Sequence, residues 1–131
     1  MIYIDSCIPM YLVGAQHRNK SRVIEMISSL LSARETLVTS AEAFQEILHR
    51  YKAIHNPKHM KIAYEALDEL AFSVEPICKE DTDRALTLCF QLPSLSSRDC
   101  LHLAVMNRIG CRRIWTYDAN FDGIPKIDRV Y

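Results

Sequence analysis

With 131 residues, 49% of them apolar, the chain is long enough to bury one core and too short for two ordinary domains, so a single domain over 1–131 is expected. Lysine plus arginine number 16, as do aspartate plus glutamate, so the formal charge is zero and the strongly basic footprint of many nucleic-acid binders is absent. No run approaches the ~20 apolar residues that span a bilayer, the N-terminus lacks the basic-then-apolar layout of a secretion signal, and the five cysteines form no C-x-x-C pair; a reduced cytosolic protein without disulfides or structural zinc is expected.

Ile2-Tyr3-Ile4 is a short apolar run that stops on Asp5. A parallel strand covered on both faces reads this way, and open α/β sheets bind ligands just beyond their strands' carboxyl ends. Asp5 stands there, although the same residue equally caps a turn expected around Cys7 to Leu12. Val23, Ile24, Ile27, Leu30 and Leu31 recur at helical spacing and predict an amphipathic helix across roughly Lys20 to Ala33. Thr36-Leu37-Val38 follows as a brief strand, and Thr39 and Ser40 are cap residues for a helix with a stripe of Phe44, Ile47, Leu48 and Tyr51. Asn56-Pro57 ends it.

The next helix carries Ile62, Ala66, Leu67 and Leu70, and Phe72-Ser73-Val74 reads as a strand. A helix from about Lys79 to Gln91 comes next, then a loop and cap at Ser94 to Ser97, then a helix with Leu101, Ala104, Val105 and Ile109 that ends at Gly110. Arg113 to Thr116 is the last strand, followed by an Asp118-Ala119-Asn120 turn and a short tail. Strands alternating with helices predict a mainly parallel sheet flanked by helices. The only glycines, at 14, 110 and 123, leave no phosphate-cradling loop.

Four acids sit at abrupt element boundaries. Asp5 and Asp118 each follow a strand; Asp99, three residues after Ser96, also completes a Ser-x-x-Asp capping box. Glu42 and Glu46 share a helix face nearly opposite the apolar stripe, which periodicity alone assigns to solvent. Thr39-x-x-Glu42 fits a capping box, which gives Glu42 a structural task and leaves Glu46 without one. Mg²⁺ and Mn²⁺ are hard ions that prefer oxygen, and crowded carboxylates need a cation to stay ionised. One or two such ions lower the pKa of a bound water and neutralise charge on a leaving oxygen, which is the chemistry of phosphodiester hydrolysis.

Four segments, Ile2 to Ser6, Thr39 to Leu48, Leu95 to His102 and Ile114 to Asp122, together resemble the PIN-domain nucleases, and most closely the VapC-type toxins of toxin–antitoxin pairs. The resemblance implies a three-layer α/β/α fold around a mainly parallel five-stranded sheet, Mg²⁺- or Mn²⁺-dependent endoribonuclease activity, a cognate antitoxin and a homodimer. It maps the family's acids onto Asp5, Glu46, Asp99 and Asp118, with Glu42 and Asp122 as additional candidates. Ser6 and Thr116 are candidate supports for these acids, and Arg98 either pairs with Asp99 or meets the scissile phosphate.

For substrate grip, His49, Arg50, Lys52, His55, Lys58, His59 and Lys61 form a basic stretch around Tyr51, itself expected in the core. Such a run is either a solvated face or a set of RNA phosphate contacts. Two other readings compete with a nuclease. A phosphatase using Asp5 as nucleophile normally places a second aspartate where this chain has Cys7, and a non-catalytic scaffold of the same fold would bind RNA or protein without cutting.

Overall fold

The computed structural model describes residues 1–131. In chain order the elements are β1 (Ile2–Ile4), α1 (Cys7–Val13), α2 (Arg18–Ser32), β2 (Leu37–Ser40), α3 (Ala41–Ala53), α4 (Pro57–Leu70), β3 (Ser73–Glu75), α5 (Lys79–Gln91), α6 (Ser97–Arg108), β4 (Arg113–Trp115), a 3-10 turn (Ala119–Phe121) and β5 (Asp128–Val130). The strands form one sheet in the order β3-β2-β1-β4-β5, and every neighbouring pair is parallel. β1 is central. The chain leaves it toward β2 on one side and later returns to β4 on the other, so β1 lies at the switch point where open sheets present a ligand crevice.

The pleat of β1 divides the interior. Ile2 and Ile4 face a core completed by Ile8, Val23, Leu30, Ala43, Ile47, Tyr51, Ala63 and Leu67, from α1 to α4. Tyr3 faces the opposite core, built by α5 and α6 with Ala85, Leu88, Leu103, Val105 and Met106. The three-layer α/β/α architecture follows from this two-sided covering of short apolar strands. No helix is long and apolar enough to cross a membrane. All five cysteines are free.

Three local expectations need correction. The turn around Cys7 to Leu12 is helix α1, in which Pro9 sits within the first turn, where its missing N–H leaves no hydrogen bond unmade. The tail contains β5, whose Asp128, Arg129 and Val130 pair with Arg113, Ile114 and Trp115. Its sequence has no hydrophobic alternation because it is a three-residue edge strand. Leu48, placed on the apolar stripe of α3, is 43% exposed, while Phe44, Ile47 and Tyr51 are buried as that stripe requires. Gly110 does terminate α6, at φ +69°, a conformation glycine adopts without steric cost.

Candidate active site

Register builds the site first. Ile4 pairs with Trp115, so the residues one step further, Asp5 and Thr116, stand side by side where the two strands end. The Asp5 amide donates to Trp115 O at 3.1 Å and fixes the backbone there. The Thr116 hydroxyl donates to Asp5 Oδ2, and Ser6 Oγ lies 3.4 Å from Asp5 Oδ1. Asp5 is only 7% exposed, yet no lysine, arginine or histidine forms an ion pair with it. Thr116 Oγ1 also accepts the Asp118 amide at 3.0 Å, and Asp118 Oδ1 accepts the Asn120 amide at 2.8 Å, leaving Oδ2 without a hydrogen bond. Each strand-end aspartate thus has a local structural role, and together they share Thr116.

Helix α3 starts directly at the end of β2 and carries Glu42 and Glu46 over the same edge of the sheet. Both are largely buried, with side chains 14% and 17% exposed, so the face that periodicity assigns to solvent is a cleft wall. The capping box between Thr39 and Glu42 does not form. Thr39 Oγ1 instead donates to Ile4 O at 2.8 Å within the sheet, and Ser40 is the residue preceding the helix. Thr39 still lies in β2, so its hydroxyl finds the neighbouring strand before the helix amides. Glu42 lies 3.9 Å from Arg98, and burial pushes its carboxyl above the usual range. Arg98 therefore meets Glu42 rather than Asp99.

Glu46 Oε2 accepts from Ser6 Oγ at 3.1 Å, and Oε1 is hydrogen-bonded to His102 Nε2. Burial alone would raise its carboxyl, but His102 and Ser6 outweigh that and hold it below the ordinary range. His102 is fully buried, and its other nitrogen, Nδ1, lies 2.7 Å from Tyr3 OH, which lies 2.5 Å from Ser40 Oγ. Burial opposes charging this imidazole, while Glu46, with Asp5 and Asp99 behind it, raises its pKa.

Helix α6 contributes Asp99 and His102, three residues apart and hence on one face. The capping box is formed: Asp99 Oδ2 accepts from Ser96 N at 3.2 Å and Ser96 Oγ at 2.7 Å, and the Asp99 amide donates back to Ser96 Oγ at 3.1 Å. Asp99 Oδ1 makes no hydrogen bond. Burial raises the Asp99 carboxyl against the pull of Ser96, and the charge of nearby Asp5 raises it further.

Asp5, Glu46 and His102 each bring a ligand-type atom within 4.8 Å of the others. Asp99 and Asp118 stand outside that tightest group, one coupled to Asp5 by charge and the other through Thr116. Asp122 is paired with Arg129 at 2.7 and 2.8 Å. His102 has no recognisable role from sequence alone. Its signal was the Asp99-x-x-His102 spacing on a helix whose other inward positions are apolar, opposite Tyr3, the one polar-tipped residue in β1.

The donor set suits a hard divalent cation. A buried carboxylate without a cationic partner faces further carboxylates, and Asp99 and Asp118 each keep one oxygen free of hydrogen bonds. Assembling these charges without a counter-ion would raise their pKa values or separate them. Oxygen-rich sites of this kind match Mg²⁺ or Mn²⁺ rather than a thiolate-seeking metal.

Residues 2–127 match the family described as PIN domain. Ribonuclease VapC13 of Mycobacterium tuberculosis is 42% identical over 130 residues, covering 99% of each chain. The crystal structure of Mycobacterium tuberculosis VapC20, a toxin that cleaves the sarcin-ricin loop, superposes with a TM-score of 0.75 at 17% identity, covering 97% of this chain and 98% of that one. A toxin–antitoxin complex from Klebsiella pneumoniae contains a chain matching with a TM-score of 0.67 at 18% identity, over 98% and 96%.

Proposed function

The chain belongs to the PIN-domain family, in its VapC-type branch, and from that premise we propose that it is a metal-dependent endoribonuclease acting as the toxin of a toxin–antitoxin pair. The observation that carries the metal mechanism is the buried, cation-free Asp5 carboxylate at the meeting point of two strand ends and two helices. Asp5, Glu46, Asp99 and Asp118 are the residues that would hold Mg²⁺ or Mn²⁺. A divalent ion bound there would supply an acidified water and charge neutralisation at the phosphate.

The protein's own groups fix that geometry. Thr116 occupies one lone pair on Asp5 Oδ2 and so sets the direction of the other, while Ser6 Oγ bridges between Asp5 Oδ1 and Glu46 Oε2. The Ser96 box anchors Asp99 through Oδ2 and leaves Oδ1 available. Arg98, partly exposed and 3.9 Å from Glu42, would meet a phosphate oxygen of the substrate.

A cavity of about 370 Å³ is lined in part by Cys7, whose Sγ lies 3.7 Å from Thr116 Oγ1 at the edge of the site. Tyr11, Arg50 and His59 line it, and Arg50 has no carboxylate partner. This is where the strand flanking the scissile bond rests, its phosphate on Arg50 and a base against an aromatic wall. The expected products carry a 3′-hydroxyl and a 5′-phosphate. The RNA is selected by loop shape and local contacts. A cognate antitoxin blocks the site, the toxin forms a homodimer, and both act in the cytoplasm where the RNA is.

Purified protein should cut RNA with Mg²⁺ or Mn²⁺ and stop with EDTA. RNA binding without product under single-turnover conditions would instead mark a non-catalytic scaffold, and cleavage that survives EDTA would remove the metal mechanism.

A further inference from the structure

Building on the metal-site reading above, we propose that His102, held by Tyr3, is a positioning residue that aims the Glu46 carboxylate at the metal without itself being a ligand. The chain of contacts is continuous and buried. Ser40 Oγ lies 2.5 Å from Tyr3 OH, Tyr3 OH lies 2.7 Å from His102 Nδ1, and His102 Nε2 meets Glu46 Oε1. Ser40, Tyr3 and His102 are 0% exposed, so water does not compete for any of these bonds.

The hydrogen-bond inventory assigns the roles. An ionised carboxylate only accepts, so His102 Nε2 carries the hydrogen and donates to Glu46. Nδ1 accepts from Tyr3 OH in the neutral ring and donates to it in the charged one, and the Tyr3–Ser40 bond turns with it, so the ring is held in either state. Both ring nitrogens are occupied. Ligation through Nε2 would require breaking the bond to Glu46 and would leave a buried carboxylate oxygen without its donor, in exchange for a nitrogen ligand that a hard ion does not favour.

What the chain does for Glu46 is geometric. A glutamate on a helix has three rotatable bonds before its carboxylate. With Oε1 tied to His102 and Oε2 to Ser6 at 3.1 Å, both oxygens are held and the carboxylate has little freedom to turn. Ser6 also touches Asp5, so the alignment of Glu46 is transmitted to the central aspartate. This also separates the two glutamates of α3: Glu46 is the one built into the site, while Glu42 has only Arg98. Tuning of this kind by groups behind a ligand is worth about 10- to 100-fold in metal affinity.

The test is Mn²⁺ binding to the full chain without RNA, followed by calorimetry or electron paramagnetic resonance, with folding checked by circular dichroism. His102→Leu should weaken Mn²⁺ binding roughly 10- to 100-fold. His102→Gln, whose amide can still donate to Glu46, should restore most of it. Tyr3→Phe preserves the ring and the fold and should give a smaller loss. In RNA cleavage the same variants should lower kcat and leave KM for RNA unchanged. Unaltered Mn²⁺ affinity in both His102→Leu and Tyr3→Phe overturns the proposal. So does a loss in His102→Leu that His102→Gln fails to rescue while Tyr3→Phe binds normally, since that pattern marks a direct ligand. Because binding is read without RNA, absence of nuclease activity would refute the proposed function and leave this inference to be judged separately.

Discussion

Thr116 and Asp5 are joined across the ends of β4 and β1 by a buried hydrogen bond, with the Thr116 hydroxyl donating to Asp5 Oδ2 while it accepts the Asp118 amide at 3.0 Å. One hydroxyl thereby orients two of the acids. Thr116→Val keeps the shape and removes both bonds. Mn²⁺ affinity should fall roughly 10-fold, whereas Thr116→Ser should stay near wild type; a titration of both variants checks this.

Asp99 combines two tasks that substitution can separate. Ser96→Ala removes the cap and should cost about 1 kcal/mol of stability while the carboxylate remains. Asp99→Asn keeps an oxygen for the Ser96 bonds but loses the charge, so the melting temperature should move little while cleavage drops roughly 100-fold. Thermal melts and initial rates on the same preparations distinguish the two.

Legibility followed the distance over which each signal acts. Asp5, Asp99 and Asp118 could be placed because strand ends and the Ser96 box are local patterns, and α6 ended where Gly110 promised. The cleft face of α3 could not: Glu42 and Glu46 look solvated until α6 is laid across them, and that contact joins segments more than 50 residues apart. His102 was invisible for the same reason, since its meaning depends on Tyr3, 99 residues away. β5 and α1 were missed because elements this short carry too few residues to show a period.

Arg50 tests the substrate surface. Arg50→Gln should weaken binding of a non-cleaved RNA in the absence of divalent metal and reduce the slope of log affinity against log salt by ~1, leaving Mn²⁺ affinity unchanged. Equal salt slopes for variant and wild type, measured by fluorescence anisotropy, would place the RNA elsewhere.

Away from the site, Asp81 couples α5 to α6. It accepts from Arg108 Nε at 2.9 Å and Nη2 at 3.2 Å and from the Cys78 amide at 2.8 Å. Burial acts to raise its carboxyl, but Arg108 and the Cys78 amide outweigh this and hold it below the ordinary aspartate value. A depressed folded-state pKa means stability that is present above the unfolded value, ~3.9, and is lost as pH falls through the folded value. Asp81→Asn should therefore destabilise by about 2 kcal/mol at neutral pH. The difference in stability from wild type should narrow as pH falls below about 4 and close below the folded-state value, as urea melts across pH would show.

The most direct measurement sequences the RNA ends left by the wild type and by Asp5→Asn, each with Mg²⁺ and with EDTA. Discrete cuts bearing 5′-phosphates in the wild type with Mg²⁺ alone are predicted. The same cuts in EDTA, or undiminished in Asp5→Asn, would contradict a catalytic centre built on that buried carboxylate.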